Sequence, residues 1–324
     1  MAKFFLPKAF QYAFVLLLIT TLNFLLPRAM PGDPLTYIVG DDIVLMTPDQ
    51  RQEAAARHGL NKTLIEQYTD YMRGLLSGDL GYSYQRSKPV ADMIGDRLPW
   101  TLLLQGLNIV LSTLIGIFFG TIAAWRRGKK LDITLNNIFI LFRSMPSFWI
   151  GMILVAVFAA GLGWFPVFGA QTNWAQYTGI SKALDIARHA VLPLTTLIIL
   201  SVSTIYLIMR YSMIDVLAED FMLMARMKGL GDKKVRFSHG MRNALVPVVT
   251  VIMLNIGYMF GGSVIVETVF AYPGMGRLMY EAVSFRDYAT IQGCVLIMTL
   301  CVVVANIIAD ILYPLLDPRS VRQK

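Results

Sequence analysis

Residues 101–124, "TLLLQGLNIVLSTLIGIFFGTIAA", carry no ionisable side chain, and no other feature constrains the fold of this chain as strongly. About 20 apolar residues are what an α-helix needs to cross a hydrocarbon core of about 30 Å. Inside lipid every backbone N–H and C=O needs a partner within the protein, which restricts spanning segments to helices and closed barrels. Barrel strands are shorter, about 10 residues, and alternate in polarity; this run does neither. Similar runs recur along the chain. Only 15% of its 324 residues are charged, against about 25% in soluble domains. The expected fold class is an all-α polytopic membrane protein.

Six spans are predicted, over Phe10–Leu26, Thr101–Ala124, Ile138–Gly161, Val191–Leu207, Val246–Val264 and Ile291–Leu315, with a short amphipathic turn from Asp132 before the third. The first run follows Lys3 and Lys8 as a signal peptide would. It is long for a signal core, however, and "LPRAMPGDP" after it lacks a small-x-small cleavage site, so it reads as a retained anchor.

Lys and Arg set the orientation, because short cytoplasmic segments carry the excess of both. Sixteen of the 29 lie at the N-terminus, in "WRRGKK" (Arg126 to Lys130), between Arg210 and Arg242, and at the C-terminus, against six acids. Residues 28–97 hold eight basic and ten acidic side chains. Both termini are therefore expected in the cytoplasm. Residues 28–98 form an extracytoplasmic helical insertion after a first block of 1–27. A five-helix core occupies 99–316 with a cytoplasmic segment at 211–245, and 317–324 is a cytoplasmic tail. The net charge of +8 thus reads as topology rather than as a nucleic-acid surface.

Within the insertion, Thr47 and Pro48 signal a helix start, and Gly59 and Gly78 signal stops. Leu64, Tyr68, Tyr71 and Leu75 recur at helical spacing and should pack against the spans. A lid that completes the fold and a dock for an external partner both remain open. Trp164 and Phe165, in a second outer stretch, fit an interfacial aromatic belt. Gly116 with Gly120, and Gly257 with Gly261, are small-xxx-small pairs for close helix packing.

No catalytic or metal chemistry is visible. Cys294 and Cys301 read as small apolar residues of the last span, and His58, His189 and His239 are scattered. "RRGKK" and "GLGDKK" lack phosphate-loop spacing, and neither H-E-x-x-H nor G-x-S-x-G occurs. Arg143 and Asp310 are the clearest ionisable groups in the spans. Both fall near predicted cytoplasmic ends, where snorkelling or capping is favoured over a proton relay. If the chain moves a solute, its energy comes from elsewhere.

The charged segment "EDFMLMARMKGLGDKKVRFSHGMRNALVP" (Glu219 to Pro247) interrupts two apolar runs. Asp215, Glu219 and Asp220 suit a helix start, Arg226 and Lys228 its finish, and Gly229 the residue after it. Phe221, Met222, Met224, Ala225 and Leu230 form an apolar surface that a loop cannot bury alone. Such a helix docks in a groove of another protein or lies against anionic headgroups. On these residues alone both readings stay open.

"ARMKGLGDKKVRFSHGMRNALVPVVTVI", followed by "GGSVIVETVFAYPGMGRLMYEAVSFRDYATIQG", resembles the inner-membrane permeases of ABC importers, in the dipeptide, oligopeptide and nickel branch, of its first-permease type. "MPGDP", "LNKTLIEQYTDY", "GDLGYSY", "SMPSFWIGM" and the closing "DPR" fit the same branch, so the resemblance covers nearly the whole chain. It implies a type I importer permease fold of six transmembrane helices. It also implies that the charged segment is the coupling segment, with Glu219, Asp220, Phe221, Met224, Ala225, Arg226, Lys228, Gly229 and Leu230 against an ATP-hydrolysing subunit. His239, Arg242, Asn243 and Pro247 would form the return of that loop. The motif Ala and Gly positions correspond to Ala225 and Gly229, with Pro247 closing. The chain departs from the wider pattern: Leu223 and Met224 stand where Glu and Ala are usual, which puts any salt bridge of that Glu in doubt. Met227 stands where the branch more often has Ala.

The implied partners are a second homologous permease, two ATP-binding subunits, an extracytoplasmic substrate-binding protein and membrane lipid, with no nucleic acid. ATP and magnesium would sit on the partner subunits, leaving no cofactor, metal or enzymatic role in this chain, which is placed in the bacterial inner membrane. Arg143, Glu267, Pro273 and Arg277 are candidates for the pathway or for contact with the binding protein; a purely structural turn is an equal reading for Glu267 and Arg277. The expected cargo is a short peptide, with nickel or a metal chelate as the alternative. A self-sufficient secondary carrier is the rival from another class, and a membrane-embedded enzyme is disfavoured.

Overall fold

The computed structural model describes residues 2–29, 35, 43, 45–57, 61–83 and 85–316. Met30–Pro34, His58, Gly59 and the tail 317–324 lie outside the described residues. In chain order the elements are α1 (Ala2–Ala29), α2 (Pro48–Arg57), α3 (Leu64–Leu76), β1 (Tyr82–Ser83), β2 (Lys88–Pro89), α4 (Val90–Trp125), α5 (Lys130–Ser144), α6 (Ser147–Leu154), α7 (Gly179–Leu217), α8 (Asp220–Met227), α9 (Asp232–Lys234), α10 (Arg242–Tyr258), α11 (Val264–Val269), α12 (Met275–Ser284) and α13 (Tyr288–Leu316). Wider π-helical turns extend α6 through Val155–Gly161 and join α9 to α10 through Val235–Met241.

Among the described residues, four helices are long and apolar enough to cross a membrane: α4, α7, the continuous run Asp232–Gly261, and Tyr288–Ile308 of α13. A fifth is counted if α5 and α6 with its extension, bent by 99°, form one broken span. Phe10–Leu25 of α1 is apolar but shorter. The third expected span is therefore not one straight helix preceded by a turn. Pro146 crowds the residue before it out of the α region, and Met145 is extended (φ −82°, ψ 135°). Pro146 then precedes α6, where its missing N–H costs nothing.

The chain divides into two compact units, Met1–Pro99 with Gly274–Val303, and Trp100–Pro273 with Val304–Lys324. In the first unit, α3 begins with a capping box: Thr63 Oγ1 accepts from the Glu66 N–H, and the Glu66 carboxylate accepts from the Thr63 N–H. Its inner face packs on α1, where Phe24 meets the rings of Tyr68 and Tyr71 and Thr21 bonds to the Tyr68 hydroxyl. Leu64, expected on this face, is exposed in the first turn of α3. Val90, Met93, Ile94, Met275, Leu278 and Cys294 form the core beside it.

In the second unit α4 and α7 touch backbone to side chain. A Cβ on Gly116 would stand 2.7 Å from the Ile205 Cβ, and one on Gly120 would stand 2.9 Å from the Tyr206 carbonyl oxygen. The pair is a close-packing device, as its spacing implied. Gly257 has room by comparison, with Ala305 at 3.7 Å. Phe139 of α5 stacks on Tyr206 of α7 with ring centres 4.3 Å apart. Asp132 of α5, itself buried, and the largely buried Arg210 of α7 form an ion pair.

Candidate coupling surface

The segment from Leu217 to Arg242 is helical over most of its length, and its apolar residues divide between two faces. α8 starts after Glu219, whose backbone is extended (φ −74°, ψ 146°) but whose side chain makes no capping bond. Asp220 in the first turn and Arg226 in the last complement the helix dipole. The Gly229 N–H bonds to the Arg226 carbonyl at 2.9 Å, and Gly229 has φ +73°. That left-handed conformation closes helices, as the sequence suggested, and glycine adopts it without steric cost.

The expectation of one free apolar surface over Phe221–Leu230 needs correction. Met222 and Ala225, three residues apart, point inward and are only 1% and 6% exposed. They pack on Val235, with Trp125, Val216 and Leu217 around them. Phe221 and Leu230 are half-buried in the same cluster. Outward face Leu223, Met224 and Met227, exposed to 59%, 51% and 71%. An eight-residue helix presents neighbours at i and i+4 on one side and hides those at i−1 and i+2. The exposed apolar face is therefore 223–224–227, and Ala225 supports it from beneath.

Trp125, the last residue of α4, organises the charges beneath this helix. The guanidinium carbons of Arg226 and Arg236 lie 5.4 and 5.8 Å from its ring centre. Both distances are within cation–π range. Sequence reasoning treated "WRRGKK" only as a basic flank; the aromatic residue at the end of the apolar run was the signal available.

His239, Arg242, Asn243 and Pro247 do not form a loop. They belong to the continuous helical run Asp232–Gly261, where Asn243 Nδ2 donates to the His239 carbonyl at 2.7 Å. Pro247 sits inside α10 rather than closing the segment. Its missing N–H deprives the Asn243 carbonyl of a helical donor. From α7, Ser212 Oγ donates to the Ala244 carbonyl at 2.9 Å, tying the return helix to its neighbour.

The remaining candidates fall in different settings. Arg143 is exposed in the last turn of α5, beside the 99° bend. Glu267 is fully buried at the start of α11, with Thr101 Oγ1 donating to it at 3.1 Å and the Ser263 N–H at 3.3 Å. It does not face an open surface of the chain. Pro273 is half-buried after the buried Tyr272, whose hydroxyl burial pushes well above the usual phenol range. In the first unit, Arg277 Nε donates to Glu281 Oε1 at 2.8 Å, and Glu281 Oε2 accepts from Arg86 at 2.6 Å.

The sequence model of the family described as "Binding-protein-dependent transport system inner membrane component" matches residues 116–322, and the model of its N-terminal membrane component matches residues 1–105. The chain is similar to the oligopeptide transport system permease protein AppB of Bacillus subtilis, 36% identical over 320 residues, or 98% of this chain and 99% of that one. It is likewise 36% identical to the di/tripeptide transport system permease protein DppB of Pseudomonas aeruginosa, over 94% of this chain and 95% of the relative. The glutathione transport system permease protein GsiC of Escherichia coli is 36% identical over 309 residues, 95% of each chain.

Proposed function

The chain belongs to the family of binding-protein-dependent transport system inner-membrane components, and on that premise we propose that it is the permease subunit of an ATP-driven importer of short peptides. It is an inner-membrane transport protein with several membrane-crossing helices. The observation that carries the coupling reading is α8: a short helix closed by Gly229 that keeps Leu223, Met224 and Met227 outside while its other face is locked to Trp125 and Val235. A rigid element with an unpartnered apolar edge suits the groove of another protein. In this reading ATP and magnesium are held by two partner ATPases, and closure of those partners is felt here through α8.

The pathway is shared with a second, homologous permease, and a capture protein delivers cargo from outside. The six-span arrangement places both termini and residues 211–245 in the cytoplasm and residues 28–98 outside; the Lys and Arg distribution supports it. The cargo is assigned as a short peptide because the similar permeases carry oligopeptide, di/tripeptide and glutathione names. Proteoliposomes holding the permease pair and a capture protein test this. Labelled dipeptide is taken up only when the two ATPases and ATP are present. Uptake without the ATPases would sink the reading in favour of a secondary carrier.

A further inference from the structure

Two cavities adjoin on the first unit, the charged side chains of one mostly basic and those of the other mostly acidic. One, of about 310 Å³, is lined by Arg86, Lys88, Met93, Asp96, Arg97 and Leu278. The other, of about 480 Å³, is lined by Lys88, Ala91, Asp92, Gly95 and Asp96. Lys88 and Asp96 border both.

Glu281 is already committed, one oxygen to Arg86 and the other to Arg277. Among the described residues, Arg97 and Lys88 make no ion pair and no side-chain hydrogen bond. Arg97 is half-buried on α4 and lines the first cavity with Met93, Leu278 and Arg86. A planar guanidinium with unspent donors, held over an apolar floor of Met93 and Leu278, matches a carboxylate. Asp92 and Asp96, four apart on the same helix, share a face and line the second cavity with Lys88. The first cavity has the size of a small-molecule site.

We infer that these adjoining cavities bind a small zwitterion, its carboxylate on Arg97 and Lys88 and its ammonium on Asp92 and Asp96. A short peptide with free termini has this chemistry. The identification of the ligand rests on the transport reading above, whereas the charge pattern does not. The site is a second place, on the permease itself, at which cargo with two free termini is distinguished from blocked analogues.

The complete transporter in nanodiscs tests this with alanyl-alanine, its C-terminal amide and its N-acetyl derivative as probes. Each blocked probe binds about tenfold more weakly than the free dipeptide, the loss of one charged contact. Arg97→Gln brings the free dipeptide to the level of the amide and leaves the amide unchanged. Arg97→Lys restores part of the difference. The ratio of acid to amide within one variant does not depend on the fraction folded, so a poorly folding variant still answers. Equal binding of acid and amide by the unaltered protein overturns the proposal. So does an Arg97→Gln variant that keeps the ratio but loses affinity for the capture protein, which would assign the cavity to an acidic side chain of that partner. A preserved ratio dependent on Arg97, with no peptide uptake by proteoliposomes, supports the site and sinks the transport reading instead.

Discussion

Arg210 holds Asp132 with two donors, Nε to Oδ1 at 2.7 Å and Nη2 to Oδ2 at 2.9 Å, from a helix 78 residues further along the chain. The Gly128 N–H adds a third bond to the carboxylate at 2.9 Å; Asp132 is buried and Arg210 largely so. This pair joins the first limb of the bent α5–α6 element to α7.

Removing one partner of a buried pair leaves the other charge uncompensated, which costs about 3–5 kcal/mol. Arg210→Ala and Asp132→Ala should each lower unfolding stability in detergent by about that much. The double variant should recover part of the loss. A strictly additive double mutant would show that the pair is not coupled.

Gly120→Ala places a methyl against the Tyr206 carbonyl at 2.9 Å, and backbone does not move aside as a flexible side chain does. It should cost about 1–3 kcal/mol. Gly106→Ala, on the same helix with nothing within 4 Å of the added carbon, should be neutral or slightly stabilising. Thermal unfolding of both variants checks the contrast.

The two faces of α8 separate docking from folding. Leu223→Glu and Met227→Glu should leave the unfolding temperature of the chain unchanged and abolish co-purification of ATPase subunits. Met222→Ala opens the buried cluster with Val235 and should cost about 2–5 kcal/mol of stability. Retained ATPase capture by both glutamate variants would exclude this face.

Gly229→Ala forces a Cβ into the left-handed conformation and should cost about 1–2 kcal/mol locally. Gly229→Asn should be tolerated better, because asparagine enters that region more readily. Hydrogen exchange across residues 220–230 reads the difference as earlier opening of α8.

The start of α3 should be pH-dependent at both ends of the scale. The Thr63 N–H and hydroxyl bonds hold the Glu66 carboxyl below its ordinary range, so its contribution is present above its unfolded pKa and is lost as pH falls through the folded value. The hydrogen bond to Asp70 raises Lys62, whose contribution is present below its unfolded pKa and is lost as pH rises through the folded value. Backbone exchange in residues 64–76 should therefore quicken on either side of neutrality beyond its intrinsic pH dependence. Glu66→Gln should flatten the acid limb and keep the helix start.

Much of this protein was legible in order along the chain because its determinants are local. An apolar run in lipid must be helical to satisfy its own backbone, so three of the expected spans appear within α4, α7 and α13, and a fourth, Val246–Val264, overlaps the run Asp232–Gly261 but overshoots its end at Gly261. The left-handed Gly229 is set by neighbours three or four residues away and stands where its residue type implies. The Thr63–Glu66 capping box is equally local, but the start signal read from the sequence was at Thr47 and Pro48 instead. Gly116 and Gly120 announced a close approach, though not that α7 makes it.

Tertiary structure alone decided what depends on distant partners. Leu223, Met224 and Met227 are chemically no different from Met222; only the arrival of Val235 and Trp125 determines which of them is hidden. Glu267 looked equally suited to a pathway or a turn until burial beside Thr101 placed it inside. Asp132 and Arg210 were merely two charges at predicted span ends. The pairing of residues 78 positions apart comes from helix packing, which has no local signature; the propensity to be a helix does.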